Sequence, residues 1–171
     1  LAERVGRHVD TDRVVAIDRF PERLALARDD GHAEVLDYAQ TDDVVEALKQ
    51  MTGGRGPDHC IDAVGMEAHG TGFMATADRV KQTAKLQLDR ANVLREAIQA
   101  CGKGGTISVP GVYAGFVSSF PMGAVFGKGL VIRGGQTHVK RYMEPLLQRI
   151  MDGELDPTTI ISHRLPLSDA P

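Results

Sequence analysis

The sequence predicts an α/β protein with a doubly wound parallel sheet, and three observations lead there. Short β-branched runs alternate with segments of helical period, and each unit has the length of a strand-to-helix-to-strand crossover. Right-handed crossovers of that kind return each new strand beside the last. At 171 residues, with 42% hydrophobic and 25% charged residues, the chain suffices for one buried core and is too short for two full-sized catalytic lobes.

Arg13 to Ile17 (RVVAI) reads as the first strand. Asp18 follows, then FPERLALARDDG, a helix whose first turn suits Pro21, with Phe20, Leu24 and Ala27 on one face and Gly31 as its stop. AEVLDY over 33–38 is a second strand. Thr41 is placed to cap the next helix, with Asp42 and Asp43 in its first turn at the positive end of the dipole. Val44, Leu48 and Met51 form that helix's buried stripe. GGRGP over 53–57 ends it and turns the chain into HCIDAV over 59–64, a third strand ending at Gly65.

Residues 66–90 are polar, punctuated by Gly and without a sustained apolar face, which reads as an insertion or long loop. Asp89 caps a helix carrying Leu94, Ala97, Ile98 and Cys101 on one side, Gly102 ends it, and TISVPG over 106–111 is the next strand. Residues 112–129 read as loop with one short helix, and LVIRGG over 130–135 as a further strand. Val139, Tyr142 or Met143, Leu146, Leu147 and Ile150 mark a last helix, which Pro145 must start or kink. After it come an Asp-Pro turn and a β-branched run at Thr158 to Ile161.

Composition excludes several function classes. Twenty Lys+Arg against 23 Asp+Glu leave a formal charge of −3 with no cation-dense stretch, so nucleic acid is not an expected partner. No apolar window approaches the roughly 20 residues that cross a bilayer, and the first residues hold no apolar signal core. No membrane partner and a cytoplasmic location are therefore expected. Cys60 and Cys101 form no CxxC, which speaks against a disulfide framework or a thiolate zinc site and for buried inert thiols. His8, His32, His59, His69, His138 and His163 are scattered, with no HExxH. No serine lies in G-x-S-x-G, so no metal ligand and no catalytic nucleophile is assigned. Leu1 in place of Met raises the expectation of a fragment or processed product.

One carboxylate stands out. Asp18 lies between the first strand and the first helix, where a dinucleotide fold puts the acid that accepts hydrogen bonds from adenosine ribose. An acid there favours NAD over NADP, because a 2′-phosphate would meet a like charge, while Arg19 and Arg23 nearby temper that preference. Capping the following helix is an equally good role for the same side chain. No G-x-G-x-x-G occurs anywhere, and GKG at 102–104 and 127–129 lacks the surroundings of a P-loop and reads as turns.

Four segments, taken in order, carry a resemblance: VVAIDRFPERLALA at 14–27, DDVVEALKQMTGGRGPDHCIDAVGMEAHG at 42–70, VLREAIQACGKGGTISVPGVYAGF at 93–116, and residues 132–171 from IRGGQ onward. Together they resemble the C-terminal, cofactor-binding portion of zinc-dependent medium-chain alcohol dehydrogenases, in the branch that includes formaldehyde dehydrogenases. The resemblance covers nearly everything from residue 13 onward, and the insertion between Gly65 and Val93 is typical of that branch. It implies NAD-dependent oxidation of an alcohol or aldehyde adduct, with zinc polarising the substrate oxygen while hydride passes to the nicotinamide. It further implies that Asp18 holds the adenosine ribose with Arg19 and Arg23 beside it, and that Val64 and Gly65 line the pocket. Pro110, Gly111, Val112 and Gln136 would then meet the nicotinamide half.

The family's zinc ligands match no residue here, and residues 1–12 do not fit its first strand and glycine turn. The resemblance therefore divides the chain into an atypical segment 1–12, a dinucleotide-binding domain 13–155 with its insertion at 66–92, and a segment 156–171 leading back toward a catalytic domain. In the order 3-2-1-4-5-6 the first strand is central, so unless residues 1–9 fill that slot the strand ending at Asp18 and the one at 59–64 must pair directly or leave buried groups unsatisfied. The sheet is thus expected to be incomplete and the isolated chain marginally stable. A small alcohol or aldehyde is the implied substrate, and a homo-oligomer is allowed. Two other readings stand beside this one: a non-catalytic dinucleotide-fold interaction module, and a short cofactor-binding subunit that borrows a catalytic lobe.

Overall fold

A computed structural model describes residues 13–64, 92–113, 117, 119–161, 164–166 and 168. The readings on residues 1–12, on the insertion, and on Gly65, Asp89, His8, His69 and His163 lie outside the described residues. Along the chain run β1 (Val15–Asp18), α1 (Pro21–Asp29), β2 (Glu34–Asp37), α2 (Val44–Met51) and β3 (His59–Ile61). A helix α3 over 92–100 follows. Then come β4 (Thr106–Val109), α4 (Met122–Lys128), β5 (Val131–Gly134), α5 (Val139–Met151) and a 3-10 turn, Pro157–Ile160. The chain divides into two units, Leu1–Asp42 with His138–Pro171, and Asp43–Thr137.

In the first unit β1 and β2 pair in parallel, from Val15 against Glu34 to Asp18 against Asp37. The crossover α1 starts at Pro21, whose fixed φ suits a first turn and whose missing N–H costs nothing there. Leu24 is its buried residue, whereas Phe20 stays exposed. Its end differs from expectation: the left-handed residue is His32 (φ 54), not Gly31. Turning over one residue later lets the amides of Gly31 and Ala33 reach the carbonyls of Leu26 and Ala27, at 3.2 and 3.0 Å. Helix α5 runs through Pro145 instead of starting at it. The β-branched run at the end forms the 3-10 turn, capped by Asp156, whose side chain accepts from the Thr158 amide at 2.9 Å.

In the second unit β3, β4 and β5 form a parallel sheet in that order. Among the described residues β1 pairs with β2 and β3 with β4, and no direct pairing of β1 with β3 is seen. Helix α2 is capped by Asp43, whose carboxylate accepts from the Glu46 amide at 2.9 Å. Thr41 was the expected cap, but its hydroxyl closes the preceding turn on the Asp37 carbonyl at 2.7 Å, so the start moves on by two residues. Leu94, Ile98, Cys101, Ile107 and Val109 make the core, where α3 lies on β4 with Cys60, Ala124, Val125 and Leu130 packed around it. Ile98 and Ile107 are wholly buried, each contributing about 1.5–3 kcal/mol of apolar burial.

Two close approaches fix the ends of this unit. Gly56, at φ +81, lies so near the end of α3 that a Cβ would sit 1.9 Å from the Ala100 carbonyl oxygen, which only glycine permits. The Gly102 amide donates to the Pro57 carbonyl at 2.9 Å beside it. Lys128, at the last turn of α4, sends its ammonium into the open end of α3 and donates to the carbonyls of Ile98, Gln99 and Cys101 at 3.1, 2.7 and 2.9 Å. These are carbonyls that a helix end leaves without amide partners. Among the described residues no helix is long and apolar enough to cross a membrane.

Candidate functional site

Parallel strands deliver all their carboxyl ends to one edge of a sheet, where open α/β folds bind ligands. On the first unit that edge is marked by Asp18, the last residue of β1. Its Oδ1 accepts from the amides of Arg19 and Phe20 at 2.7 and 3.1 Å, and its Oδ2 lies 3.5 Å from Nη1 of Arg23. The residue at the N-cap of α1 is Phe20, so Asp18 shapes the turn before the helix and does not cap the helix itself. Its side chain is 29% exposed and that of Arg23 65%, which leaves the ion pair open to solvent and weak. The guanidinium carbons of Arg19 and Arg23 lie 5.0 and 4.6 Å from the centre of the Phe20 ring. Both guanidinium groups are thus attracted to the same ring, and that of Arg23 also pairs with the carboxylate.

On the second unit the carboxyl edge brings together Val64 after β3, Pro110, Gly111 and Val112 after β4, and Gln136 after β5. Val64 and Val112 are exposed, at 54% and 58%, although both are branched apolar residues. Beneath them Asp62 is 1% exposed. Its Oδ1 accepts from the Val64 amide at 3.1 Å and its Oδ2 from the Tyr113 hydroxyl. β3 ends at Ile61, earlier than the run to Gly65 predicts, although the Asp62 amide still donates to the Ser108 carbonyl of β4. Burial, together with the hydrogen bond to Asp62, pushes the Tyr113 phenol up, so it stays a donor.

Sequence reasoning missed Asp62, Tyr113 and Lys128 as structural participants. A carboxylate inside the apolar run HCIDAV was the available signal for the first, because a buried acid requires partners. The two thiols behave as predicted from their apolar surroundings: burial pushes Cys60 up to about 12 and raises Cys101 as well. High-pKa thiols are poor nucleophiles and poor ligands. Among the described residues no group of three His, Cys, Asp or Glu could hold a metal ion.

Comparison with known proteins fits this geometry. Residues 4–86 match the family model described as zinc-binding dehydrogenase. The chain is 36% identical over 158 residues to an uncharacterized zinc-type alcohol dehydrogenase-like protein, AdhB, of Bacillus subtilis, covering 92% of this chain and 40% of that one. It is 29% identical to the glutathione-independent formaldehyde dehydrogenase of Pseudomonas aeruginosa, again covering 92% of this chain and 40% of the relative. Among solved structures, alcohol dehydrogenase TADH from Thermus sp. ATN1 aligns with a TM-score of 0.70 and 26% identity over 95% of this chain and 39% of its own. The chain therefore spans about 40% of the length of the relatives it matches. Sequence and fold together show a zinc-binding dehydrogenase C-terminal domain, similar to alcohol and formaldehyde dehydrogenases and with their Rossmann-like α/β fold.

Proposed function

We propose that the chain is the NAD-binding part of an oxidoreductase that acts on an alcohol, or on the hydrate of an aldehyde, in the formaldehyde dehydrogenase-like branch of its family. The observation that carries this reading is the carboxylate of Asp18. It ends β1, is partly exposed, and has one oxygen on main-chain amides and the other beside Arg23. A carboxylate so placed accepts the hydroxyls of an adenosine ribose and repels a 2′-phosphate. Arg19 and Arg23 flank the adenine side. Val64 and Gly65 line the pocket, and Pro110, Gly111, Val112 and Gln136 meet the nicotinamide half through main-chain and apolar contacts.

Bound NAD would supply the acceptor for a hydride from the carbon that bears the hydroxyl. The work of these residues is to hold the cofactor and to present an apolar face to its ring, and no step is assigned to a metal. The dinucleotide-binding domain runs over 13–155, and 156–171 leads out of it. A cytoplasmic location and a homo-oligomeric state belong to the same reading.

The test is an NADH titration of the native polypeptide, followed by cofactor fluorescence. Saturable binding is expected, weaker for NADPH, and Asp18→Asn should weaken NADH by about ten- to a hundredfold, since a charge-assisted hydrogen bond contributes roughly 1.5–3 kcal/mol. No binding by the unmodified protein, or an unaltered affinity in the variant, would sink the reading. The remaining candidate would then be an interaction module on a dinucleotide fold.

A further inference from the structure

Asp62 makes four hydrogen bonds, and they tie the end of β3 to β4, to the segment that leaves β4, and back to itself. Its amide donates to the Ser108 carbonyl at 2.8 Å, and its carbonyl accepts from the Gly111 amide at 3.2 Å. Its carboxylate holds the Val64 amide at 3.1 Å on one oxygen and the Tyr113 hydroxyl on the other. A carboxylate 1% exposed would be costly to keep without such partners. An apolar residue would fill the same space without that requirement, so the bonds are what the position supplies.

The consequence lies in what the bonds leave outside. Gly111 and Tyr113 are both fastened to Asp62, one on each side of Val112, and Val64 is fastened through its own amide. The side chains of Val64 and Val112 remain exposed, at 54% and 58%. Tyr113 meanwhile packs against the core of Leu94, Ile98 and Ile107, so the pin is anchored from below. Exposed branched side chains on an immobilised main chain suit contact with a flat ring, because the turn loses little further freedom on binding.

We infer that Asp62 and Tyr113 form a positioning pair, touching no cofactor themselves, that fixes the turns carrying Val64 and Val112 so that these contact the nicotinamide ring of NAD. This rests on the cofactor reading above. It assigns the pair to one end of the dinucleotide only, and that makes it separable from a general contribution to stability. Loosening the pair should weaken ligands that carry the nicotinamide and spare those that lack it.

The experiment uses the native polypeptide with Tyr113→Phe, which keeps the ring in the core and removes only the hydroxyl. Affinity for NADH and for ADP-ribose is measured by titration calorimetry, with the melting temperature of each protein. NADH should weaken about tenfold, the equivalent of about 1.4 kcal/mol, while ADP-ribose changes less than about twofold. If Tyr113→Phe does not fold, Asp62→Asn takes its place. The amide keeps an acceptor for the Val64 amide and offers its NH2 to the Tyr113 oxygen, so Asp62→Ala, which removes both acceptors, is measured beside it, and the same split is expected of Asp62→Ala. Equal losses for both ligands, or no loss for either, would overturn the positioning role and leave the cofactor reading intact. Failure of the unmodified protein to bind NADH would overturn that reading and this inference with it.

Discussion

Cys60 and Cys101 interact across the core of the second unit, and the surroundings of each favour the neutral thiol. Burial is the larger cause for both, with the neighbouring sulfur adding to the rise at Cys60. Because the thiolate is the reactive form, iodoacetamide at pH 8 should leave both residues unmodified in the folded protein and label both in urea, as read by intact mass. Stability follows from the same shift. An unfolded chain releases the Cys60 proton near its ordinary value of 9.0, whereas the folded chain holds it to about 12. Between those values the folded state binds the extra proton, so stability is fully present below about pH 9 and falls as pH rises through that window. Urea unfolding at stepped pH should show the decline, and Cys60→Ala should flatten it. Residues also differ in how far the sequence exposes them. Asp18 is legible because its position after a β-branched run is local information. Asp62 is not, because its donor Tyr113 lies 51 residues away and only the assembled sheet brings them together.

Elements were legible wherever neighbours in sequence decide them. The stripe of Leu94, Ile98 and Cys101 predicts α3 and its buried face, and the fold bears that out. The start of α2 was misplaced by two residues because Thr41 and Asp43 are both good caps, and the choice depends on where the turn after β2 closes. For the end of α3 the sequence offers only the stop at Gly102 and no hint that Lys128 serves it. Three charge-assisted bonds to its carbonyls, at the negative end of the helix dipole, make that side chain a stabilising element. Lys128→Met should cost about 1–3 kcal/mol in urea unfolding, since the aliphatic stem is kept and the bonds are lost. A change below a few tenths of a kcal/mol would show that water replaces the ammonium without loss.

At the scale of the whole molecule, the α/β class and the order of elements followed from period and spacing, both repeated along the chain. The pairing of strands did not. Which strand lies beside β3 depends on contacts between distant segments, and the sheets observed are β1 with β2, and β3 with β4 and β5. A ligand that binds only the folded chain adds its binding free energy to stability. At one hundred times its dissociation constant NADH should therefore add about 2.7 kcal/mol and raise the melting temperature by about 5–10 °C for a chain of this size. Scanning fluorimetry with and without NADH checks this, and an unchanged transition would count against cofactor binding by the fold as a whole.

The seal that Lys128 places on α3 also sets an order of events in time. The ladder of β1 and β2 needs nothing beyond residue 37, so it can close early on a chain emerging from its amino end. The second sheet joins Asp58 to Cys101 and Thr106, and its neighbouring helix is completed by an ammonium that emerges last of these. During synthesis the seal on α3 therefore forms only once Lys128 has emerged, just ahead of β5, the strand that completes the sheet.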